Sequence, residues 1–469
     1  MAQPATGSAA SSLTEQPLLG ATVRFGLPLV AAMGLGAIFN LVDLWVVGMM
    51  PSPTAAVAGV GIASTVNSIP PIIFNGIVNA MLALIARHHG LGNGKRSSLA
   101  AGQGLMLTLL LGALFGVPPA LYAEEIVRAL GASGDVVAPA TDYLAIMSWG
   151  TVTIFLLLHV TGALRAVGNS KLPVILLVGS NVLNVALDFW LVLGGMGVPP
   201  LGAAGAAWAT VISRGLFALL GLAFLYRGVG TLVLRRFAWS WRSMATILRV
   251  GIPSCGQWVM RMLACGYLMY FIAEAARNAG EDVAAAQAAF TVGLRLETFA
   301  LFSGFGWGAA AATLVGQNLG RGRPDRAIEG SWIALGLNMA MMLVFAGAFV
   351  LFSDELIAFM GFDAKAHGSD VLRIGRTYML VTASSYVFVA VALVISQALA
   401  GAGATVFPLV LETVVFGLLA LPLGAWATAE AQDYGLRALW IVIVGLHLVT
   451  AIAYVVWFRL GTWATKVLR

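Results

Sequence analysis

The sequence predicts an all-α polytopic membrane protein in which twelve transmembrane helices form two six-helix pseudo-symmetric lobes around a central cavity. The first supporting observation is composition. Of 469 residues, 60% are hydrophobic and 10% are charged, and the mean hydropathy is +0.92. In a soluble globular domain about a quarter of the residues are charged. This composition excludes that class.

The second observation is the recurrence of apolar stretches long enough for the roughly 20 residues that a membrane-spanning helix needs. Short polar segments separate them. The predicted spans are 22–49, 54–87, 98–120, 138–162, 172–195, 201–226, 245–276, 283–316, 329–352, 372–400, 406–428 and 435–460.

The third observation is a weak internal sequence repeat, offset by about half the length of the chain. Arg24-Phe25-Gly26-Leu27-Pro28 returns as Arg249-Val250-Gly251-Ile252-Pro253, and two further motifs return in the same order. Six spans per unit is an even number, so both units enter the membrane from one side, around an axis along the membrane normal. The predicted divisions are a mobile cytoplasmic tail, two lobes and a cytoplasmic linker: 1–21, 22–226, 227–244 and 245–469.

A proline stands near the start of the first span of each lobe. Pro28 and Pro253 each remove a backbone hydrogen bond and could act as hinges. Equally, each could simply mark a helix start. Both interpretations stay open at this point.

Charge distribution predicts the orientation. Placing the N-terminus in the cytoplasm puts most of the 26 Lys and Arg residues in cytoplasmic loops, so we expect a plasma (inner) membrane protein with both termini cytoplasmic. The basic residues are scattered singly, which argues against nucleic acid as a partner. Cys255 and Cys265 share one apolar run and have no disulfide or metal-ligand spacing.

One apolar span carries a polar stripe. Asn184 and Asp188 are four residues apart and stack on one helix face, with Asn181 close to the same stripe. An Asp at mid-bilayer costs about 2.5–3.5 kcal/mol on insertion scales, so such residues usually face a cavity and are functional. The alternative is a polar cluster that only bonds helices together.

Several motifs, taken together, resemble multidrug and toxic compound extrusion (MATE) transporters. They are Leu41-Val42-Asp43 with Val46-Val47-Gly48, the segment 163–173, Asn184 with Asp188, the segment 202–210, and Leu314-Val315-Gly316-Gln317-Asn318-Leu319-Gly320. Each is weak alone. Their order and spacing extend over essentially the whole chain after the tail.

The resemblance implies a drug or metabolite exporter driven by protons or sodium ions, with no other cofactor. The family's cation site maps to Asp43, Asn184, Asp188 and Thr210, with a possible sodium ion at the first three. At the position where the NorM-like branch has a seventh-span Glu, this chain has Arg261. The DinF-like branch is therefore expected.

Other polar residues within spans are candidates for a substrate cavity. Glu297 could recognise a cation or neutralise an arginine, and Arg261 is predicted to face the central cavity and to disfavour cations there. Glu412 could line that cavity or sit near a helix end. The remaining candidates are Asn181, Arg295, Asn75 and Asn79.

Nothing in the sequence indicates an enzyme, since it lacks a P-loop and a His-Glu-x-x-His motif. A flippase for lipid-linked oligosaccharides or lipids is the main alternative, because Arg261, Arg295 and Arg214 would suit a diphosphate. An ion channel is less consistent, since no selectivity-filter-like loop lies between the spans. The expected partners are small organic molecules and membrane lipid, and the expected state is a monomer.

Overall fold

Helical spans account for most of the structure, a computed structural model that describes residues 13–49, 53–195, 197–234, 240–360 and 369–465. Among these residues, eleven helices are long and apolar enough to cross a membrane, and a pair bent by 43° makes a twelfth span. The predicted fold class and number of spans are confirmed.

Spans 1 to 6 form the N-terminal lobe. In order they are Leu18–Gly48; Pro53–Asn67 with Ile69–Gly90; Gly94–Leu121; the bent pair Val137–Trp149 and Thr151–Ala166; Lys171–Leu193; and Gly202–Arg227.

Spans 7 to 12 form the C-terminal lobe. In order they are Trp241–Asn278; Val283–Gly320; Pro324–Leu351; Ser369–Thr382 with Tyr386–Gly401; Val406–Glu412, which continues through the π-helix Thr413–Leu419 into Ala420–Ala429; and Arg437–Leu460. The short helices Ala123–Ala129, Ser353–Phe359 and Ala431–Tyr434 lie between spans.

Side-chain caps set several helix starts. The Asn93 carboxamide accepts a hydrogen bond from the Arg96 amide at the start of span 3, and the Asp282 carboxylate accepts one from the Ala284 amide at the start of span 8. These side chains satisfy amides that the first helical turn leaves without an internal partner. They explain why these spans begin at the edge of an apolar run.

Each lobe has its own apolar core. In the N-terminal lobe Phe74 and Phe155 stack with ring centroids 4.0 Å apart. In the C-terminal lobe the buried rings of Phe290, Tyr378 and Trp440 pack together, with Tyr378 and Trp440 4.8 Å apart. Each core also includes a few residues of the other lobe, such as Val30 in the C-terminal core and Val250 in the N-terminal core, where the lobes pack together.

The lobes meet along one half of their length. We call the side of the membrane where span 1 begins the near side and the opposite side the far side. The Gln317 carboxamide donates to the Ala166 carbonyl at the near-side ends of spans 8 and 4. At mid-span a β-carbon on Gly76 would lie 2.4 Å from the Cys255 backbone nitrogen, so only glycine allows spans 2 and 7 to cross there. The close contacts described between the lobes lie between the near side and this crossing, so the described parts of the lobes meet on the near-side half.

Two lobe boundaries and one interpretation differ from prediction. Span 1 begins at Leu18, inside the segment predicted as a tail, and span 7 begins at Trp241, inside the predicted linker. Pro28 and Pro253 both lie inside continuous helices, so the interpretation that they mark helix starts is wrong. Apolar length outweighs the local proline, whose missing hydrogen bond is tolerated within a membrane helix.

Candidate ion and substrate sites

Three of the predicted coupling residues come together inside the N-terminal lobe. Asn184 and Asp188 of span 5 and Thr210 of span 6 are all buried. The Asn184 carboxamide donates to the Thr210 hydroxyl at 3.4 Å, and that hydroxyl donates to the Ala206 carbonyl at 3.0 Å. Asp188 lies one helical turn beyond Asn184 on the same face of span 5, so its carboxylate is next to Asn184 along that face.

Span 1 runs beside span 5 in the same direction. A β-carbon on Gly36 would lie 3.7 Å from the Asn181 carboxamide nitrogen, and Val46 and Val192 share a small apolar cluster closer to the far side. Asn181 itself is half-buried. The backbone of span 1 is described throughout, but the side chain of Asp43 lies outside the described part of the structure.

The chemistry of the N-terminal network suits a small cation. Asp188 is 1% exposed and Asn184 is 6% exposed, so the carboxylate is removed from bulk water in a membrane-embedded lobe. Carboxylate, carboxamide and hydroxyl oxygens are the ligands that hard cations prefer. A carboxylate in this setting is also a natural carrier of one proton.

The C-terminal lobe contains a separate cavity of about 270 Å³. Its wall is mostly aliphatic and aromatic, with contributions from spans 7, 8, 9, 10, 11 and 12. The polar side chains on the wall include Arg261, Tyr267, Glu297, Tyr378, Ser385, Tyr386, His447 and Thr450. A few polar groups on an apolar wall are typical of a pocket for small organic molecules.

Glu297 contributes a carboxylate to this cavity. Its Oε1 accepts a hydrogen bond of 2.9 Å from the Tyr378 hydroxyl, and Tyr378 is 2% exposed. Among the described residues Glu297 forms no ion pair. The interpretation in which Glu297 neutralises an arginine is therefore wrong, because its hydrogen bond goes to a phenol.

Arg261 and Glu412 form a two-pronged ion pair between spans 7 and 11. Arg261 Nε donates to Glu412 Oε2 at 2.6 Å and Nη2 donates to Oε1 at 2.5 Å. The Tyr454 hydroxyl of span 12 donates to the same Oε1 at 3.1 Å. Glu412 is fully buried, whereas 26% of the Arg261 side chain is exposed. A π-helix begins directly after Glu412.

This pair bears on two predictions. Arg261 lies on the wall of the cavity inside the C-terminal lobe, and it also lines, with Asn79, a small pocket where the two lobes meet. Glu412 is the last residue of the α-helix Val406–Glu412, but the span continues through the π-helix to Ala429, and the side chain is fully buried beside the cavity rather than on its wall. A buried carboxylate in the membrane needs a charged partner, and Arg261 is that partner.

The other predicted cavity residues have different surroundings. Arg295 is exposed and does not line the C-terminal cavity. Asn75 donates to the Pro71 carbonyl within its own helix at 2.9 Å. Asn79 lines a water-sized pocket of about 10 Å³ with Gln257 and Arg261 at the meeting of the lobes. Of these three residues, only Asn79 lies next to a residue of the candidate sites, namely Arg261.

Sequence reasoning missed the tyrosines and a histidine of the C-terminal lobe. Tyr378 and Tyr454 each donate to a carboxylate, and Tyr386 and His447 lie on the cavity wall. A phenol in an apolar span needs a hydrogen-bond partner. That requirement would have drawn attention to these tyrosines, although it could not have paired them with their acids.

Comparisons with known proteins show to which family the chain belongs. The MatE family profile matches residues 28–190 and 257–426, which together exceed half of the chain. The chain is 25% identical to the probable multidrug resistance protein YoeA of Bacillus subtilis, covering 83% of this chain and 82% of that protein. It is 24% identical to the probable multidrug resistance protein NorM of Thermotoga maritima, covering 95% and 93%.

A solved structure described as the outward-facing conformation of a multidrug resistance MATE family transporter superposes with a TM-score of 0.85. It is 23% identical and covers 97% of this chain and 98% of its own, which shows the shared fold. The chain belongs to the MATE family of multidrug efflux transporters, whose members are transporters and not enzymes.

Proposed function

We propose that this protein is a secondary active antiporter that exports drugs or toxic organic compounds in exchange for protons or sodium ions by alternating access. The observation that supports the proposal is that two chemically different sites lie in different lobes. A buried carboxylate with two polar neighbours lies in the N-terminal lobe, and a largely apolar cavity lies in the C-terminal lobe. An antiporter needs one site for each of its two cargoes.

The coupling site is assigned to Asp43, Asn184, Asp188 and Thr210. Spans 1 and 5 run in the same direction, and Gly36 of span 1 lies beside Asn181 of span 5. Asp43 and Asp188 each follow seven residues later on their own span. The two aspartate positions are therefore at the same depth along the helix pair. Two carboxylates in a low-dielectric site repel, and one proton or sodium ion between them removes the repulsion. One charge moving through 100 mV supplies about 2.3 kcal/mol for export.

The substrate site is assigned to the C-terminal cavity. Its volume of about 270 Å³ is close to the lower end of the roughly 300–1,000 Å³ typical of small-molecule pockets. Glu297 supplies a carboxylate whose hydrogen-bond partner is the Tyr378 phenol and not a basic side chain. The surrounding aromatic rings suit a flat apolar substrate. The multidrug names of the relatives support this class of cargo.

The remaining assignments follow the charge distribution. We propose a monomer in the inner membrane with the near side in the cytoplasm, so both termini are cytoplasmic and a cleft between the lobes faces outward. The DinF-like branch stays our expectation because Arg261 replaces the seventh-span acid.

The test measures drug efflux and cation flux in the same proteoliposomes, with ethidium as cargo and imposed proton or sodium gradients. Asp188→Asn keeps the size and most hydrogen bonding but removes the charge, so coupled efflux should stop while the protein stays folded. Asp142→Asn, an exposed residue of the same lobe, is the matched control. Normal coupled efflux by Asp188→Asn would refute the assignment.

A lipid-linked oligosaccharide or lipid flippase is the second candidate. A flippase of this kind would need several basic side chains close together in the cavity to bind the diphosphate of the lipid. Here the charge of Arg261 is engaged by Glu412, and Arg295 is exposed away from the cavity. These placements favour the antiporter. Transport of a lipid-linked sugar in the same vesicles, without ethidium efflux, would reverse that preference.

A further inference from the structure

The segment 13–17, which precedes span 1, lies at the near side where spans 4 and 5 of one lobe meet span 8 of the other. We call this line of contact the seam and the segment the strap. It is continuous with the N-terminal lobe, yet two arginines at the start of span 9 in the C-terminal lobe donate hydrogen bonds to its backbone. Arg323 donates to the Thr14 carbonyl at 3.1 Å and Arg326 donates to the Gln16 carbonyl at 2.8 Å. Thr14 is 1% exposed.

Leu13 fills the seam itself. It packs against an apolar cluster that contains Phe25 of span 1, Ala309 of span 8 and Val174 of span 5. A β-carbon on Gly168 would lie 3.1 Å from Leu13 Cδ1, and Gly168 has a φ of +82° that favours glycine. The strap therefore touches both lobes at once, where spans 4 and 5 meet span 8.

The contacts of the strap differ in strength. Glu15 pairs with Arg321 at 2.8 Å, but both side chains are substantially exposed, and such pairs contribute little. The two arginine-to-carbonyl bonds are charge-assisted, and the burial of Leu13 removes apolar surface from water. The backbone contacts and Leu13 should therefore dominate.

We propose that the strap is a latch that holds the near side closed and must release before the protein can open to that side. Near-side opening parts span 8 from spans 4 and 5, so it cannot occur while Leu13 stays in the seam and Arg323 and Arg326 hold the strap. The latch biases the conformational equilibrium toward the far-side-open state. The inference rests on alternating access but needs neither a particular cargo nor a particular coupling ion.

Distances between spin labels in lipid nanodiscs test the latch without any cargo. One pair, at Arg96 and Leu460, reports near-side separation, and a second pair, at Glu125 and Asp433, reports far-side separation; all four positions are exposed. The background lacks Cys255 and Cys265 and is first compared with the wild type for thermal stability.

Two variants weaken the latch and each has a matched control. Arg323→Ala with Arg326→Ala, and separately Leu13→Ala, should raise the near-side-open fraction about tenfold and lower the far-side-open fraction in step. Leu19→Ala, at an exposed leucine of span 1, and Arg227→Ala, at an exposed arginine of span 6, should leave both distributions unchanged. Unchanged distributions in the folded latch variants would overturn the proposal.

Cross-linking supplies a second arm that does not depend on a destabilised variant. A reducible bifunctional thiol reagent joins Glu15→Cys to Arg321→Cys in the same background, and the protein is then assayed for ethidium efflux. Cross-linking should stop turnover and reductant should restore it. Undiminished efflux by the cross-linked protein would mean that the strap moves with the C-terminal lobe and is no latch. If no variant transports ethidium, the label distances still decide the latch, and only the proposed cargo fails.

Discussion

The Arg261 guanidinium on span 7 holds both carboxylate oxygens of Glu412 on span 11, at the residue where span 11 changes to π-helical winding. The two residues are 151 positions apart in the chain. The ion pair and the Tyr454 hydroxyl together join spans 7, 11 and 12. π-Helical turns are frequent at functional sites, and here the turn lies beside the cavity. The pair therefore supports the cavity wall.

Removing one partner of this pair should strongly destabilise the protein. Arg261→Leu leaves the fully buried Glu412 without its counter-charge, which typically costs about 3–5 kcal/mol for a buried pair. Arg261→Leu with Glu412→Leu should recover most of the loss, because no buried charge remains. Thermal unfolding in detergent measures both. Arg277→Leu breaks the exposed pair with Glu274 and is the control, with an expected loss of at most about 1 kcal/mol.

The same geometry predicts the result of Arg261→Glu. That substitution sets two carboxylates against each other in a buried site, so we expect poor folding rather than broader export of cationic dyes. The reversed pair Arg261→Glu with Glu412→Arg should fold better than Arg261→Glu alone. Equal yield and unfolding temperature for the single and the reversed variants would show that the ion pair contributes nothing to stability.

Glu297 should affect the choice of substrate. Glu297→Gln keeps the acceptor for the Tyr378 hydroxyl but removes the negative charge, so the KM for the cation ethidium should rise about tenfold or more while that for a neutral dye changes little. Tyr378→Phe is the positioning control, because it leaves the carboxylate in place and should have a smaller effect. Parallel increases in KM for the cationic and neutral dyes would instead indicate a damaged cavity.

The length of the spans could be predicted from sequence because hydropathy is a local property. Within the N-terminal lobe, spacing predicted that Asn184 and Asp188 share a helix face, whereas Thr210 was added only by the family resemblance. The partner of Arg261 was not accessible, because a choice between Glu297 and Glu412 depends on how distant helices rotate. Arg295 is a different case: it stands two residues from Glu297, so helical spacing alone puts the two side chains on different sides of span 8.

Orientation gives a prediction that is independent of transport. In a background without Cys255 and Cys265, we expect Arg277→Cys, at the far-side end of span 7, to react with a membrane-impermeant thiol reagent in intact cells. Arg242→Cys, at the near-side end of the same span, should react only after the cells are opened. The reason is the excess of basic residues in near-side loops. Labelling of Arg242→Cys in intact cells would reverse the topology.

The last prediction concerns the identity of the coupling ion, which binding to the folded state can reveal without transport. A ligand that binds only the folded protein stabilises it by RT ln(1 + [L]/Kd), about 2.7 kcal/mol at a hundredfold excess over Kd. If sodium binds between Asp43 and Asp188, sodium chloride should raise the unfolding temperature of the wild type more than an equal concentration of choline chloride. Asp188→Asn should abolish that difference.

Thr210→Val provides a graded version of the same test. It removes the hydroxyl that accepts from Asn184 while keeping a similar volume, so it should weaken sodium stabilisation without removing a charge. Asp142→Asn should keep the full sodium effect. If the wild type shows no sodium effect but gains stability on acidification, and Asp188→Asn loses that gain, the coupling ion is the proton. If the wild type and Asp188→Asn respond alike to both ions, the N-terminal network is structural and the coupling site lies elsewhere.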